Sequence, residues 1–313
     1  MEIKYFNLKS NDGVHLLNCK KYLPSGEIKG IFQLIHGMKE YIERYDSFLS
    51  FLCENGYICV THDHLGHGKS VADNSELGFI ASENGYNLLV DDCHLVTKQI
   101  KSEHPNLPVF LLGHSMGSFV ARLYAEKYSF ELAGLIIMGT AGKNPVSKIG
   151  LFLTDFVKKK KGERYFSKFI DGICFGSYNK KFKQERSRSS WITSDIEIQK
   201  KYQKDPFCKF NFSISAMHDL IMLIDLCNQR KHFNNFDKLL PVLLVSGSND
   251  PVGNYGKGVK EVYANYKKAG VRRVLLKIYP GARHEILNDF SKETVYLDIL
   301  GFIAGLDKFT IKS

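Results

Sequence analysis

The chain contains 313 residues, of which 44% are hydrophobic and 24% charged, and its formal net charge at pH 7 is +10. This length and this hydrophobic content suffice for one large α/β domain with an insertion. No apolar run approaches the length of a membrane-spanning helix and no N-terminal stretch resembles a signal peptide, so a membrane-spanning or secreted protein is not expected. The seven cysteines are odd in number and show no C-x-x-C spacing, which favours a reducing, cytoplasmic location.

Strands and helices are predicted to alternate over most of the chain. Two strand-like segments come first, at residues 2–8 and 14–22. Six further predicted strands form the core, at residues 30–35, 57–61, 109–112, 132–138, 242–246 and 273–278. Predicted helices lie between or after them, at residues 42–55, 86–103, 116–128, 256–269 and 292–304. The alternation predicts an α/β fold, with a mostly parallel eight-stranded sheet flanked by helices on both faces.

The segment from Gly113 to Gly117 has the pattern G-x-S-x-G and directly follows a predicted buried strand. A chain that turns sharply from strand into helix here holds Ser115 in a strained backbone conformation, and the glycines let neighbouring chain approach without a Cβ clash. The helix after the turn directs free N–H groups and the positive end of its dipole towards the serine. The pattern alone also fits an ordinary strand-to-helix turn, so its meaning depends on partners elsewhere in the chain.

A carboxylate and a histidine follow this serine in the order Ser, Asp, His. Asp250 comes at the end of the apolar run 239–247, where Pro251 prevents further strand pairing. His284 lies in the loop after the predicted strand 273–278. Because a serine hydroxyl is a weak nucleophile at neutral pH, His284 is predicted to take its proton during attack and to return it to the leaving group. Asp250 is predicted to stay ionised and to hold the imidazole in one tautomer.

The loop after the predicted strand 30–35 is expected to supply the second half of an oxyanion hole. It reads His36-Gly37-Met38-Lys39-Glu40. We assign the oxyanion donors to the backbone N–H groups of Met38 and Met116. His36 could be read as a catalytic base, but a histidine before this glycine is better explained as a residue that braces the loop.

These residues make the chain similar to the monoacylglycerol lipase and lysophospholipase family of α/β-hydrolases, which includes serine aminopeptidase-like members. The similarity rests on four blocks that together span nearly the whole chain, namely His36-Gly37-Met38 with Glu40, Asp63-His64-Leu65-Gly66-His67-Gly68-Lys69-Ser70, Gly113-His114-Ser115-Met116-Gly117, and Asp250-Pro251-Val252 with Arg283-His284-Glu285. The resemblance implies an α/β-hydrolase fold with Ser115 as nucleophile and with Asp250 and His284 as triad partners. It likewise implies Met38 and Met116 as oxyanion-hole donors. The implied reaction is hydrolysis of carboxylic esters without a cofactor, commonly of one acyl chain on a glycerol backbone.

Between Thr140 and Leu239 the alternation lapses, which predicts a helical cap inserted after the sixth of the eight predicted strands, residues 132–138. We expect the cap at residues 142–236, between the two parts of the α/β-hydrolase core at 1–141 and 237–313. Residues 142–236 contain 19 Lys and Arg against 9 Asp and Glu. Their net charge of +10 equals that of the whole chain. The core is therefore neutral, and the basic excess is expected over the mouth of the active site.

The first segment of the cap combines an apolar stripe with a run of lysines. The stripe consists of Ile149, Phe152, Leu153 and Phe156, and the lysines are residues 158–161. One interpretation is a helix packed on the core, with lysines that favour its C-terminal dipole. The other is peripheral contact with an anionic membrane surface. The two interpretations are compatible with each other.

Aromatic residues of the cap are candidates for contact with an acyl chain. These are Phe152, Phe156, Phe175, Trp191 and Phe207. A role in the cap's own core explains them equally well. The predicted function is hydrolysis of single-chain lipid esters, either monoacylglycerol or lysophospholipid, through an acyl-enzyme on Ser115.

Two other hydrolytic functions stay open: a small-ester carboxylesterase and an aminopeptidase-like serine hydrolase. A peptidase would need cap carboxylates to hold the substrate's ammonium group, and a strongly basic cap disfavours this. Four cap carboxylates keep it open, namely Glu163, Glu185, Asp195 and Glu197. A non-enzymatic scaffold is disfavoured because such proteins usually lose the nucleophile or the histidine. A serine at position 115, where dehalogenases have aspartate, favours acyl transfer.

The basic cap also raises the question of nucleic-acid binding, and a histidine cluster raises that of a metal. The cap shows no recognisable nucleic-acid-binding module, and the triad would then be unexplained. His62, His64 and His67 with Asp63 are residue types that bind metals. No cysteine or further carboxylate cluster accompanies them, so neither a metal nor a nucleic acid is expected. The sequence indicates no oligomeric state.

Overall fold

An eight-stranded sheet forms the centre of the computed structural model, which describes residues 1–310. Its strands in chain order are β1 (Glu2–Lys9), β2 (Leu16–Leu23), β3 (Gly30–Ile35), β4 (Tyr57–His62), β5 (Val109–His114), β6 (Gly134–Met138), β7 (Val242–Gly247) and β8 (Val274–Tyr279). They lie in the order β1-β2-β4-β3-β5-β6-β7-β8. β2 pairs antiparallel with β1 and with β4, and every other neighbouring pair is parallel. The prediction of a mostly parallel eight-stranded sheet is confirmed.

The five central strands, β3 to β7, are buried at every position. Strands covered on both faces read as continuous apolar runs, which is why the sequence located them well. Successive side chains point to opposite faces, so Phe110 and Leu111 belong to separate hydrophobic clusters. At the edge of the sheet, β8 instead alternates between buried and less buried residues. The loops that carry Met38, Ser115 and Asp250 therefore leave fully buried strands, whereas the loop that carries His284 leaves the edge strand β8.

Five helices belong to this core. They are α1 (Asp46–Glu54), α2 (Gly85–Glu103), α3 (Met116–Tyr128), α9 (Lys257–Lys268) and α10 (Lys292–Thr310). Residues of α1 and α10, such as Phe48 and Ile299, join one hydrophobic cluster of the sheet. Residues of α2 and α3, such as Leu89 and Val120, join the other. Helices therefore cover both faces of the sheet, as the alternation predicts.

The observed bounds agree with the predicted ones to within a few residues, with two larger differences. The predicted helix 42–55 begins as a separate 3₁₀ helix, Ile42–Tyr45, before α1. The last helix is longer than predicted and runs to Thr310. Among residues 1–310, no helix is both long enough and apolar enough to cross a membrane.

Five more helices lie between β6 and β7. They are α4 (Ser147–Lys161), α5 (Lys168–Phe175), α6 (Ile196–Lys204), α7 (Ile214–Cys227) and α8 (Arg230–Asn235). All five fall within the predicted insertion 142–236, whose status as a separate cap stays a prediction. Met217 and Leu223 of α7 belong to the same hydrophobic cluster as α2 and α3, so α7 attaches this region to the core.

The two ends of this helical region are joined by buried polar groups. Arg122 of α3 is fully buried, and its guanidinium donates to Oδ1 of Asn228 at 3.1 Å and to the carbonyl of Ala141 at 3.4 Å. Nδ2 of Asn228 donates to the carbonyls of Ala141 and Gly142, each at 3.3 Å. Because α3 begins directly after Ser115, this one helix links the predicted nucleophile with both ends of the helical region between β6 and β7.

Candidate active site

Ser115 occupies the turn between β5 and α3. Its backbone has φ 53° and ψ −120°, which is strained for a residue with a side chain. Its N–H donates to the carbonyl of Met138 at 2.9 Å and so fixes the turn against β6. A Cβ on Gly113 would lie 2.1 Å from the carbonyl oxygen of Gly117, and a Cβ on Gly117 would lie 2.3 Å from that of Ile35. The turn therefore requires glycine at both positions.

The loops after β7 and β8 bring Asp250 and His284 together. Nδ1 of His284 lies 3.0 Å from Oδ1 of Asp250, although the N–H is not aligned as in a linear hydrogen bond. Such misalignment is common in active sites without substrate. Asp250 is fully buried, and it accepts hydrogen bonds from the N–H of Val252 at 2.9 Å and from the hydroxyl of Ser246 at 3.3 Å. Ser115 and His284 line one cavity, so the three predicted catalytic residues share a site.

The two predicted oxyanion donors also border this cavity. Met38 and Met116 both line it. Met116 is the first residue of α3, and Met38 follows Gly37, on which a Cβ would lie 2.9 Å from the Cβ of Ser115. Within residues 1–310, neither backbone N–H has a hydrogen-bond acceptor. Two unpaired donors beside a serine are the arrangement that a developing oxyanion needs.

A buried carboxylate holds the loop of Met38 in place. Oε2 of Glu40 accepts hydrogen bonds from the N–H of Gly37 and from the hydroxyl of Tyr45, both at 2.7 Å. Nδ1 of His114 lies 3.0 Å from the same oxygen, and Nε of Arg44 lies 3.6 Å from Oε1. Burial alone would raise the pKa of Glu40, but His114 and Arg44 hold that pKa well below its usual value. Glu40 is therefore ionised at pH 7, and it holds the loop 36–40, which carries the predicted oxyanion donor Met38.

His36, the first residue of this loop, is fully buried and does not line the cavity. Its Nδ1 lies 2.7 Å from the carbonyl oxygen of Gly37, and its Nε2 accepts from the N–H of His64 at 3.0 Å. Burial lowers the pKa of His62 and the pKa of His67 to about 3, so both imidazoles are neutral at pH 7. In the part of the chain that the structure describes, no three His, Cys, Asp or Glu residues are arranged to hold a metal. Of these histidines, His36 and His64 contact the backbone of the loop, since Nε2 of His64 lies 3.2 Å from the carbonyl oxygen of His36.

The cavity has a volume of about 690 Å³, within the range of about 300–1,000 Å³ usual for small-molecule sites. An apolar group of side chains lines it, namely Phe119, Phe175, Leu220, Ile224 and Val252. A polar group lines it as well, namely Lys39, Asp171, Arg188, Tyr202, Gln203, Lys209 and Asn211. It thus offers both an acyl-chain surface and a polar surface.

The structure divides the aromatic candidates of the sequence into two sets. Phe175 and Trp191 line the cavity, and the Trp191 ring lies 5.1 Å from that of His284. Phe152 and Phe156 are 70% and 54% exposed and Phe207 packs on Tyr41, and none of the three lines the cavity. Helical spacing identified an apolar face but could not show which way that face points.

Sequence reasoning missed several residues that shape this site. Arg44 was not singled out, although it pairs with Glu40 and with Glu285. Tyr45 and Tyr178 were also missed, although Tyr45 binds Glu40 and Tyr178 lines the cavity. A signal existed for Arg44 alone, because an arginine four residues after Glu40 lies within reach of it on one helical turn. The other contacts join residues far apart in the chain.

A family model described as "Serine aminopeptidase, S33" matches residues 26–291. The monoglyceride lipase of Rattus norvegicus is 31% identical over 291 residues, which cover 92% of this chain and 86% of the relative. The monoglyceride lipase homolog of Monkeypox virus is 27% identical and covers 90% and 89% of the two chains.

Two solved structures of ester hydrolases are also similar to this chain. A thermostable carboxyl esterase from Bacillus coagulans, solved with glycerol, superposes with a TM-score of 0.92 at 29% identity and covers 98% of this chain and 99% of its own. A soluble variant of the monoglyceride lipase of Saccharomyces cerevisiae, solved with a substrate analog, has a TM-score of 0.76 at 23% identity and covers 98% of this chain and 95% of its own. At that identity the yeast structure supports the fold alone.

Proposed function

This chain belongs to the serine aminopeptidase S33 family and is a carboxylic ester hydrolase of the monoacylglycerol type, and we propose that Ser115, His284 and Asp250 are its catalytic triad. The observation that carries this proposal is the convergence of the three side chains at one cavity. Ser115 and His284 line that cavity, and Asp250 lies 3.0 Å behind His284. The substrate is a lipid ester, and we propose an ester of a single acyl chain.

The first half of the reaction transfers the acyl group to the enzyme. Oγ of Ser115 attacks the ester carbonyl carbon while Nε2 of His284 takes the hydroxyl proton. The oxygen of the tetrahedral intermediate becomes negative and accepts hydrogen bonds from the N–H groups of Met38 and Met116. The bond to the glycerol oxygen then breaks, and His284 gives its proton to that oxygen. Glycerol leaves, and the acyl group remains on Ser115.

The second half releases the fatty acid. Water gives a proton to His284 and attacks the acyl carbon, the same two N–H groups stabilise the oxyanion, and Ser115 regains its proton as the bond to Oγ breaks. Asp250 compensates the charge of the imidazolium in both halves and is held ready by Val252 and Ser246.

The experiment that tests the triad compares monoacylglycerol hydrolysis by the wild type and by Ser115→Ala. We expect turnover to fall by about 10⁴–10⁶-fold with the circular dichroism spectrum unchanged. Ser25→Ala is the matched control, since Ser25 is exposed and lies outside the catalytic cavity, and it should retain full activity. Near wild-type esterase activity in Ser115→Ala would overturn the assignment.

The four cap carboxylates that the sequence offered to an aminopeptidase are engaged elsewhere. Glu185 pairs with Arg283, Glu197 pairs with Lys200, and Asp195 caps α6. Ser82 donates to Glu163 at 2.9 Å. None of these four described residues lines the cavity. Lipid esters are therefore favoured over aminoacyl substrates, and an aminoacyl nitroanilide should be hydrolysed far more slowly than a monoacylglycerol.

Peripheral membrane contact is also part of the proposal. Ile149, Phe152 and Phe156 follow one another at helical spacing along α4, Val146 immediately precedes the helix, and each of the four is more than half exposed. On α5, Phe169 and Ile173 are exposed at 72% and 59%. The lysines at residues 158–161 end α4. Exposed apolar side chains next to cations suit the interface of an anionic bilayer.

Sedimentation with vesicles tests this contact. Phe152→Ser/Phe156→Ser should reduce binding to vesicles that contain phosphatidylserine, and replacing all four lysines with glutamine should reduce it on those vesicles only. Hydrolysis of a soluble short-chain ester should stay unchanged, because neither set of residues lines the cavity. Unchanged sedimentation of both variants would contradict membrane contact and leave the triad proposal intact.

A further inference from the structure

A lysine without a partner lies next to the proposed oxyanion hole. Lys39 follows Met38 directly, adopts a left-handed φ of 59°, and lines the catalytic cavity. Among residues 1–306, no carboxylate oxygen lies within 4 Å of its ammonium group, and no hydrogen bond to its side chain is present. Half-buried ammonium groups normally have a partner, because desolvation of a charge costs free energy unless it is compensated.

Two more unpaired cations line the same cavity. Arg188 and Lys209 are exposed side chains contributed by the loops around α6, and in the described part of the chain neither forms an ion pair. Together with Lys39 they give the polar part of the cavity three cationic groups without a carboxylate of their own.

The acidic residues of the cavity do not neutralise these cations. Glu40 interacts with His114 and Arg44, and Glu285 interacts with Arg44. Asp171 is the remaining carboxylate among the lining residues, and it lies beyond 4 Å from Lys39. Burial lowers the pKa of Lys39, and the charge of Asp171 opposes this change. Among the described residues that line the cavity, the three cations without an ion-pair partner therefore outnumber the one carboxylate without such a partner, Asp171.

We propose that this part of the cavity binds an anionic head group, and that the enzyme prefers monoacyl lipids carrying a phosphate on the glycerol to neutral monoacylglycerols. The proposal rests on the proposed function, since it specifies the substrate of the same triad. A phosphate oxygen accepts charge-assisted hydrogen bonds from ammonium and guanidinium groups, which are the stronger kind. Glycerol hydroxyls leave the surplus charge uncompensated. Lys39 is thus a specificity-determining residue, and Ser115 remains the nucleophile for either substrate.

The test compares two substrates that differ only in the head group. The substrates are octanoylglycerol and octanoylglycerol phosphate. Both are used below the concentration at which they aggregate, so that binding to a lipid surface does not affect the rates. For the wild type we expect a higher kcat/KM on the phosphate. Lys39→Met should lower the ratio of the two kcat/KM values by about 10-fold or more, which is the scale of one hydrogen bond to a charged group. Lys39→Arg should keep most of the preference, and Lys39→Glu should reverse it.

Lys69→Met is the matched control for loss of one positive charge from the protein. Lys69 lies outside the cavity, where its ammonium is 3.6 Å from Glu43. This variant should keep the wild-type ratio. Glycerol phosphate should inhibit octanoylglycerol hydrolysis competitively, and more weakly in Lys39→Met. If inorganic phosphate inhibits equally well, the cations bind free phosphate and the head-group proposal is wrong.

Two further outcomes would overturn the proposal. One is a wild type that hydrolyses both substrates equally, with a ratio that Lys39→Met does not change. The other is an equal loss on both substrates in Lys39→Met, which would mean that Lys39 serves only to position the oxyanion loop. In either case Ser115-dependent hydrolysis of octanoylglycerol would still support the triad, so the two proposals fail separately.

Discussion

The central strands β3 to β7 are buried at every position, whereas α4, α5 and α6 of the helical region bury two, one and one residues respectively. The helix α7 is the exception in that region, because it buries nine. Charge divides in the same way, since the surplus of cations belongs to residues 142–236 and the rest of the chain is neutral. The strands of the sheet thus carry the proposed triad on their loops, and the helical region adds Arg188 and Lys209 to the lining of the cavity.

If the sheet alone positions the chemistry, changes at its loop ends should cost the most activity. Asp250→Asn keeps the size of the side chain but removes the charge that compensates the imidazolium. We expect kcat for a monoacylglycerol to fall by about 10³–10⁴-fold, with an unchanged melting temperature. Steady-state kinetics alongside calorimetry check both. A loss of less than 10-fold, which corresponds to less than ~1.4 kcal/mol of activation free energy, would mean that another carboxylate supports His284.

Glycine replacements compare the packing of the two regions directly. A Cβ at Gly117 would lie 2.3 Å and 2.5 Å from the carbonyl oxygens of Ile35 and His36. We expect Gly117→Ala to lower the free energy of unfolding by about 3 kcal/mol or more. In α5, apart from the chain neighbours and the backbone of the helix itself, no described atom lies within 4 Å of a Cβ at Gly172. Gly172→Ala should therefore raise the free energy of unfolding by about 0.5–1 kcal/mol. Urea unfolding measures the free energy of unfolding of both variants. If the two variants were destabilised equally, the core would not be more tightly packed than the helical region.

A buried carboxyl group on α7, that of Asp219, should make the free energy of unfolding depend on pH. Burial raises the pKa of Asp219 to about 7, while the N–H groups of Gly85 and Tyr86 at the start of α2 oppose the shift. A pKa raised on folding favours the protonated form, so this contribution to stability is complete below pH 4 and is lost as the pH rises to about 7. The shift corresponds to a few kcal/mol, on the order of 4.

Asp219→Asn removes this ionisation with little change in shape. The melting temperature of the variant relative to the wild type should rise between pH 4 and pH 8. Glu27→Gln is the control, since Glu27 is exposed and forms no ion pair within the described residues, and it should show no such trend. A difference between Asp219→Asn and wild type that does not change with pH would show that Asp219 ionises freely in the folded protein.

The sequence was most informative where burial is most complete. The predicted strand 30–35 and the predicted helix 116–128 coincide with β3 and α3, because continuous apolar runs and the G-x-S-x-G turn mark their ends. The proposed triad residues and oxyanion donors could be predicted from the sequence because each follows a predicted strand or opens a predicted helix. The contacts of Glu40 with His114 and of Arg44 with Glu285 could not, since they join residues that are distant in the chain.

In the helical region the same reasoning was weaker. The stripe containing Phe152 and Phe156 follows helical spacing, but spacing is the same for a face buried on the core and a face exposed to a membrane. The helices α5, α6 and α8 are short and bury few residues, so apolar periodicity gives them little signature. Lys39 was quoted only as part of a loop, because the absence of a partner is a property of the folded chain.

The most direct test of the account is to find which serine an alkyl fluorophosphonate labels. A nucleophilic Oγ displaces fluoride from phosphorus, and the label can then be located by peptide mass spectrometry. We expect one label, on Ser115, with a rate that falls in His284→Ala and with no label in Ser115→Ala. A label on another serine, or equal labelling of Ser115→Ala, would contradict the claim that the turn between β5 and α3 holds the nucleophile.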